Sequence, residues 1–290
     1  MNQDHFIVRP GKRIHLEDYD PAFTGHFESE DEAATKLSKD VGKLAKYQDM
    51  LYAQNMYGLL VILQGMDTAG KDGTIRHVMS GVNPQGTQVY SFKAPSAEEL
   101  SHDFLWRSTK ALPERGRVCI FNRSYYEEVL VVRVHPELLD AQRLPSEAGG
   151  KRIWKDRFDD INHFEKYLVR NGIVIVKFFL HLSKAEQRRR LLARIDTAEK
   201  NWKFSPSDVK ERGYWDDYMH AYEDALNNTS TEWAPWYVVP ADHKWFTRTV
   251  VADVIVDRLK SLKLSYPQIS SEDRRYLLQA RKLLEAESSS

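Results

Sequence analysis

The residues with the clearest chemical potential lie between positions 65 and 72, directly after the short apolar run 59–63. Gly65, Gly70 and Lys71 match the first seven positions of the phosphate-binding loop G-x-x-x-x-G-K-[ST]. Glycines let backbone N–H groups turn around phosphate oxygens, the following helix adds the positive end of its dipole, and the lysine adds a mobile charge. We therefore expect a phosphate site with contacts from Gly65, Ala69, Gly70, Lys71 and Asp72.

Two acidic residues depart from the usual form of this loop. Asp72 occupies the place where a Ser or Thr hydroxyl normally binds magnesium, and Asp67 puts another carboxylate inside the loop. A carboxylate beside phosphates is unfavourable unless a metal ion or a proton offsets its charge. Asp67 is therefore expected to be a magnesium ligand or a base toward an incoming phosphate. The competing interpretation is a turn aspartate that bonds nearby N–H groups.

A polar cluster follows the apolar run 117–121. This run predicts a short strand, and in open α/β sheets ligands collect at the carboxyl ends of the strands. We therefore expect Asn122, Arg123 and Glu127 to lie beside Lys71.

The stretch 183–213 is rich in basic residues. Ser183 with Glu186 predicts the start of a helix. Arg190 and Arg194 are one turn apart and are expected on one exposed basic face. The opposite face is expected to hold the apolar residues Leu191, Leu192 and Ile195, and Lys200 and Lys203 extend the basic stretch. A solvated face is the simplest interpretation, but beside a phosphate site a mobile basic segment predicts a lid.

Apolar segments of strand length alternate with helical patterns along the chain, at 59–63, 88–92, 117–121, 172–182 and 235–239. Parallel neighbours need crossover helices, and both faces of such a sheet must be covered. The pattern predicts a three-layer α/β sandwich around a mainly parallel sheet of these five strands. Ser96 with Glu99 predicts a further helix that continues through Ser108. We expect one domain over 1–290, with an N-terminal arm (1–29), a lid (183–213) and a C-terminal helix and tail (264–290).

The composition excludes several classes of protein. Lys plus Arg and Asp plus Glu number 42 each, so no overall field attracts nucleic acid or a membrane surface. The single cysteine, Cys119, excludes a disulfide within the chain and suits a reducing cytoplasm, and no apolar run is long enough to cross a bilayer. The histidines lack the spacing of zinc ligands. Ser124 lacks the G-x-S-x-G context of a hydrolase nucleophile.

Strings of residues in the chain resemble the polyphosphate kinase 2 family: QGMDTAGKDG at 64–73, FKAPS at 92–96, NRSYY at 122–126 with VVRVHP at 131–136, and KNWKF at 200–204. The resemblance extends from about residue 14 to residue 262, with the strings in the family's order. The string at 122–136 looks most like the subgroup that acts on nucleoside mono- and diphosphates. With the loop, this implies a P-loop kinase-like (thymidylate-kinase-like) fold with a helical lid.

The resemblance also implies an activity and a set of site residues. The activity is reversible phosphoryl transfer from inorganic polyphosphate to AMP or ADP, with Mg²⁺ (or Mn²⁺), in a cytoplasmic homo-oligomer, a dimer or a tetramer. Asp67, Lys71, Arg123 and Arg194 correspond to catalytic residues. Arg133, Arg190, Lys200 and Lys203 are candidates for polyphosphate binding, Lys93, Asn122, Arg123 and Glu127 for nucleotide binding, and Asp67 and Asn122 for the metal. Many family members have aspartate at the position of Asn122, and an amide brings no negative charge to a metal.

Two other interpretations share the loop and the fold. One is an ATP-dependent nucleoside or nucleotide kinase. The other is a catalytically silent nucleotide-binding module, motivated by Asp72 and Asn122 at positions where magnesium ligands are expected. ATP formation from ADP and polyphosphate separates the three, because only a polyphosphate kinase catalyses it.

Overall fold

The computed structural model describes residues 1–148, 150 and 152–287, apart from the side chain of Lys203. Its centre is a five-stranded sheet in the order β2-β3-β1-β4-β5, and every neighbouring pair is parallel. The strands are β1 (Gly58–Gln64), β2 (Thr87–Ser91), β3 (Val118–Asn122), β4 (Ile173–His181) and β5 (Trp236–Pro240). All seven residues of β1 are buried, as expected for a central parallel strand with helices on both faces. The predicted mainly parallel five-stranded sheet is confirmed.

Helices cover both faces of the sheet. In chain order, the helices of the described residues are α1 (Glu30–Gln54), α2 (Lys71–Val78), α3 (Trp106–Thr109), α4 (Val131–Val134), α5 (Ile153–Arg170), α6 (Lys184–Ile195), α7 (Pro206–Glu211), α8 (Trp215–Thr229), α9 (Lys244–Ser261) and α10 (Ser271–Glu287). Alternate residues of β1 enter different cores: Leu59 and Val61 join the core that includes α1 and α9, and Leu60 and Ile62 join the core that includes α5 and α8. The three-layer arrangement follows from this alternation.

The register places the carboxyl ends of the central strands together. Leu63 of β1 is level with Asn122 of β3, and Asn122 is level with Ser91 of β2. The loop after β1 and the polar segment after β3 therefore leave the sheet side by side, which is the geometry expected for a ligand site in a parallel sheet.

The N-terminal segment protects one edge of the sheet. Ile7 forms an antiparallel bridge with Tyr237 of β5, and Val8 N–H donates to Trp236 O at 2.8 Å. Phe6 and Val8 are buried. Pairing the edge strand in this way satisfies backbone groups that would otherwise be open to another chain.

The predicted helix from Ser96 to Ser108 is wrong. The expected cap forms, because Ser96 and Glu99 exchange hydrogen bonds, but only a 3-10 turn (Glu99–Ser101) and the short helix α3 follow. His102 is extended, and the Asp103 carboxylate accepts from Leu105 N–H at 2.9 Å, which starts a new turn. A competing aspartate cap inside the segment therefore divides the helix.

Candidate active site

The loop between β1 and α2 requires glycine at both ends. A Cβ at Gly65 would lie 2.9 Å from the carbonyl oxygen of Leu180, closer than a real side chain allows, and Gly70 has φ +103°. Lys71 begins α2 and is buried, and its Nζ donates to Gly65 O at 2.6 Å and to Met66 O at 3.3 Å. The ammonium group is thus held across the loop by backbone carbonyls.

The charge of Lys71 depends strongly on its surroundings. Burial, followed by the positive charge of Arg123, lowers the pKa of Lys71 to about 8, although Asp67, Glu127 and Asp72 oppose the shift. A negative ligand in the loop would favour the protonated form, so phosphate binding and protonation of Lys71 are coupled.

Arg123 lies between two carboxylates. Its Nη2 donates to Asp67 Oδ1 at 2.7 Å and its Nη1 donates to Glu127 Oε2 at 3.0 Å. The Glu127 and Asp67 charges together outweigh burial and raise the pKa of Arg123, which therefore stays charged. Gln64 Nε2 donates to the other Glu127 oxygen at 3.2 Å, so this carboxylate is also tied to the end of β1. The expected proximity of Arg123 and Glu127 to the loop is present in the structure.

Asn122 is hydrogen-bonded to Asp72 in the first turn of α2, directly after the loop. Its Nδ2 donates to Asp72 Oδ1 at 2.7 Å and lies 3.5 Å from Ser91 Oγ. Asp72, which sequence analysis placed against phosphate, is therefore bonded to an amide in this structure. Among the described residues, no group of three or more His, Cys, Asp or Glu side chains is arranged to hold a metal ion.

Arg190 corrects the prediction of one exposed basic face on α6. Only 5% of its side chain is exposed, and its guanidinium reaches under the loop instead of into solvent. All five of its N–H donors are used, on Glu186 Oε1 and on the carbonyl oxygens of Thr68, Ala69, Ala241 and Asp242. Arg190 thus holds the phosphate loop to the segment after β5, and no N–H group remains for polyphosphate.

The predicted apolar face of α6 is also only partly correct. Leu191 is buried, whereas Leu192 and Ile195 are 48% and 47% exposed. Because Arg190 is turned inward by its backbone partners, α6 is rotated from the orientation that its apolar residues alone predict.

Arg194 is paired across the predicted lid. Its Nη1 lies 3.5 Å from Asp208 Oδ2, and Asp208 also completes a capping box with Ser205 at the start of α7. Burial, followed by the charge of Asp67, raises the pKa of Asp208. Asp208 is not among the site residues predicted from the sequence, although Ser205 three residues before it is a capping signal.

The other proposed binding residues are more dispersed. Lys93 is exposed after β2, and its carbonyl accepts from Arg107 at 2.9 Å. Arg133 of α4 is paired with Asp224 of α8. Lys200 is exposed in a 3-10 segment after α6, and the side chain of Lys203 lies outside the described residues.

Comparison with known proteins decides the family. A family model described as Polyphosphate kinase 2 (PPK2) matches residues 27–267. The chain belongs to the polyphosphate kinase 2 family. It is a phosphotransferase, and the predicted family, fold type and enzyme class are confirmed. Among the described residues, none of the helices has the length and apolar character needed to span a membrane.

Similar proteins cover nearly the whole polyphosphate kinase 2 chain. An ADP-polyphosphate phosphotransferase of Rhodopseudomonas palustris is 54% identical over 280 residues, 96% of this chain and 97% of the relative. An AMP/ADP-polyphosphate phosphotransferase of Meiothermus ruber is 43% identical over 275 residues, 94% of this chain and 99% of that relative. The crystal structure of polyphosphate kinase 2 from Arthrobacter aurescens TC1 has a TM-score of 0.85 and 41% identity, and the match covers 96% of each chain.

Proposed function

We propose that this polyphosphate kinase 2 chain transfers a phosphoryl group reversibly between inorganic polyphosphate and the nucleotides AMP and ADP. The observation that carries the proposal is the charge arrangement at the loop, where buried Lys71 lies beside Arg123, itself held between Asp67 and Glu127. The similar proteins of R. palustris and M. ruber, named for ADP and for AMP/ADP, support these two acceptors.

The proposed mechanism relies on positioning and on positive charge. A loose transition state spreads negative charge over the transferring phosphoryl group, so the enzyme contributes mainly alignment and electrostatic stabilisation. Lys71 and Arg123 supply charge from the sheet side, and Arg194 supplies it from the lid when its contact with Asp208 is exchanged for phosphate oxygens. Asp67 orients Arg123 through the 2.7 Å contact, and as a base it would accept a proton from an incoming phosphate.

We propose Mg²⁺ as the metal, with Mn²⁺ as a substitute. Magnesium is usually held by one or two carboxylates together with substrate phosphates and water, so it does not need a closed cage of protein ligands. Asp67 is partly exposed at the loop, and Asn122 leaves its amide oxygen available after donating its nitrogen to Asp72. These residues fit such a site and would hold the metal, which neutralises phosphate charge when bound.

The test is ATP formation in a mixture of protein, Mg²⁺, ADP and long-chain polyphosphate. We expect ATP from ADP, and ADP followed by ATP from AMP, with neither product when Mg²⁺ is chelated. Phosphorylation of AMP by ATP but not by polyphosphate would instead indicate an ATP-dependent kinase. Nucleotide binding without any product would indicate a silent binding module.

We also propose a homo-oligomer, a dimer or a tetramer, in which α10 pairs with α10 of a second copy. None of the residues of α10 is buried in the single chain. At about 100° per residue its apolar side chains form a stripe about 120° wide, made by Tyr276, Leu277, Ala280, Leu283 and Leu284. Large residues flank Ala280 symmetrically in sequence. An antiparallel pair of helices centred on Ala280 would therefore place Tyr276 opposite Leu284 and Leu277 opposite Leu283. The small side chain of Ala280 would let the two helices approach closely. A self-complementary stripe fits a second copy of this chain.

A further inference from the structure

A buried ion pair lies beneath the segment that carries Arg123. Lys177 in the middle of β4 and Glu165 of α5 both have fully buried side chains, and Lys177 Nζ donates to Glu165 Oε2 at 2.6 Å. The other two ammonium donors are directed to the Tyr126 hydroxyl and to Thr229 O, both at 2.8 Å. Lys177 therefore has three partners for its three donors.

The second oxygen of Glu165 binds two consecutive tyrosines. The hydroxyls of Tyr125 and Tyr126 donate to Glu165 Oε1 at 2.9 Å and 2.8 Å. Both tyrosines are buried and belong to the 3-10 segment Tyr125–Val129 that directly follows Arg123 and Ser124. The pair thus contacts the segment after Arg123 from inside the protein, through two buried tyrosines.

The backbone of Arg123 explains why this segment needs an anchor. Arg123 has φ +63°, a left-handed conformation that is unfavourable for a residue with a side chain. Such conformations persist where the surrounding structure fixes them. Arg123 N–H donates to Leu63 O at 3.0 Å on one side, and the two tyrosine hydroxyls hold the chain on the other. Arg123 and Glu127 lie in or beside the span between these two attachments.

We propose that Glu165, supported by Lys177, is a positioning residue that fixes the backbone of Arg123 and Glu127 through the hydroxyls of Tyr125 and Tyr126. The inference rests on the proposed function only for its effect on turnover, because the anchoring itself is a property of the backbone. Replacing a buried ion pair by apolar residues of similar volume is often neutral or stabilising. A role in positioning is therefore separable from a role in stability.

The experiment compares two uncharged replacements of the pair. Glu165→Gln/Lys177→Met keeps a carbonyl oxygen that can accept from both tyrosines, whereas Glu165→Leu/Lys177→Met removes it. Tyr125→Phe/Tyr126→Phe removes the hydroxyls and keeps the ion pair. The matched control is Lys36→Met/Asp40→Leu, which removes a buried ion-paired carboxylate on α1, a helix of the other layer.

Two measurements are made on each variant that melts cooperatively. We expect Glu165→Leu/Lys177→Met and Tyr125→Phe/Tyr126→Phe to lose about tenfold or more in kcat, with KM for polyphosphate little changed, because misplaced groups lose rate more than affinity. We expect backbone hydrogen exchange across residues 122–129 to accelerate about tenfold in the same two variants. Glu165→Gln/Lys177→Met and the α1 control should stay near wild type in both measurements.

The outcomes separate the inference from the proposed function. If the wild type phosphorylates no nucleotide, the proposed function fails, and hydrogen exchange still decides the anchoring. Native exchange across 122–129 in Glu165→Leu/Lys177→Met would overturn the inference. Equal acceleration of hydrogen exchange in Glu165→Gln/Lys177→Met and Glu165→Leu/Lys177→Met would also overturn it. The effect would then come from loss of the ion pair and not from loss of the oxygen that accepts from the tyrosine hydroxyls. If a double variant does not fold, Tyr125→Phe and Tyr126→Phe made singly test the hydroxyl anchor directly, and native exchange across 122–129 in both would overturn the inference.

Discussion

At the scale of single residues, the candidate site is a cluster of opposite charges around the loop. Arg123 bridges Asp67 and Glu127 at 2.7 Å and 3.0 Å, and Lys71 donates to two loop carbonyls. In the proposed mechanism, a polyanionic donor would compete with these internal contacts for both cations. Part of the binding free energy of the donor would then go into replacing these contacts and aligning the two cations on the group being transferred.

Lys71→Met should leave the fold intact and lower kcat by about 100-fold or more, because one strong transition-state donor is lost. ATP formation from ADP and polyphosphate measures the rate, and thermal unfolding checks the fold. A folded variant with near-native turnover would remove Lys71 from the catalytic site.

The pH dependence follows from the lowered pKa of Lys71. In the free enzyme the lysine loses its proton as the pH rises through about 8, and the neutral amine no longer attracts phosphate. Since kcat/KM reports groups of the free enzyme, we expect kcat/KM for polyphosphate to fall above this pH. Lys71→Arg, which cannot deprotonate in this range, should show no such fall if it retains measurable activity. An identical descending limb in both proteins would assign it to another group.

Glu127 is predicted to affect the choice of acceptor. We expect Glu127→Ala to lower AMP phosphorylation selectively, because a carboxylate at this position would hold a metal or a water in the space left by the missing phosphate. Glu127 also holds Arg123, so the absolute rates with both acceptors should fall. The informative quantity is the AMP-to-ADP ratio of initial rates at fixed polyphosphate and Mg²⁺, with Glu127→Gln as a control for shape. An unchanged ratio would place Glu127 outside the acceptor site.

At the scale of elements, hydrogen bonds join the predicted lid to the loop and connect its own parts. Gln187 Nε2 of α6 donates to Asp67 O at 3.2 Å, and Arg212 after α7 donates to Gln187 Oε1 at 2.9 Å. Arg194 and Asp208 connect α6 to α7 directly. We therefore expect any movement of α7 to change the position of Arg194 and the accessibility of the loop.

We expect Arg194→Ala to reduce turnover, and paired replacement of Lys200 and Lys203 by Ala to weaken polyphosphate binding and flatten its salt dependence. Arg189→Ala is the matched control, because Arg189 lies on the same helix, is 69% exposed and pairs with Glu186. Binding of labelled polyphosphate at several ionic strengths measures the second effect. The same affinity and salt response in wild type and the paired variant would indicate a solvated face without a role in binding.

At the scale of the whole molecule, the two ends of the chain differ in their contacts. The N-terminal segment is paired with the edge strand β5, whereas α10 leaves its large apolar side chains exposed. A single amphipathic helix of this length has little stability alone in water, so most of its stability must come from packing. The proposed pairing of α10 between copies would supply this packing.

Two adjacent leucines test the pairing. Leu277 and Leu278 are 56% and 57% exposed, but only Leu277 lies on the stripe. We expect Leu277→Asp to shift the oligomer toward smaller species in analytical ultracentrifugation, because it buries a charge in the proposed contact between the two α10 helices. Leu278→Asp should leave the oligomer unchanged, because Leu278 lies outside that contact. A monomeric wild type, or the same assembly in both variants, would contradict the pairing of α10.

Local sequence pattern determined much of this protein. The spacing of Gly65, Gly70 and Lys71 and the apolar runs gave the loop, the five strands and their parallel arrangement, because periodicity and turn chemistry act over a few residues. The resemblance of short strings gave the family, later confirmed by a match over residues 27–267. The placement of Arg123 and Glu127 near the loop also followed, since parallel strands end at one edge.

Tertiary packing decided the features that residue spacing along the chain does not determine, namely the rotation of a helix and the contacts between distant elements. On a helix, spacing shows that Arg190 and Arg194 are neighbours, but the rotation of α6 depends on which face the loop carbonyls of Thr68 and Ala69 meet. The contact of Arg194 with Asp208 and the burial of Glu165 with Lys177 likewise join elements that are distant in sequence. A buried charge is stable only where the fold delivers its partners from several elements at once, and that convergence is a property of the three-dimensional structure.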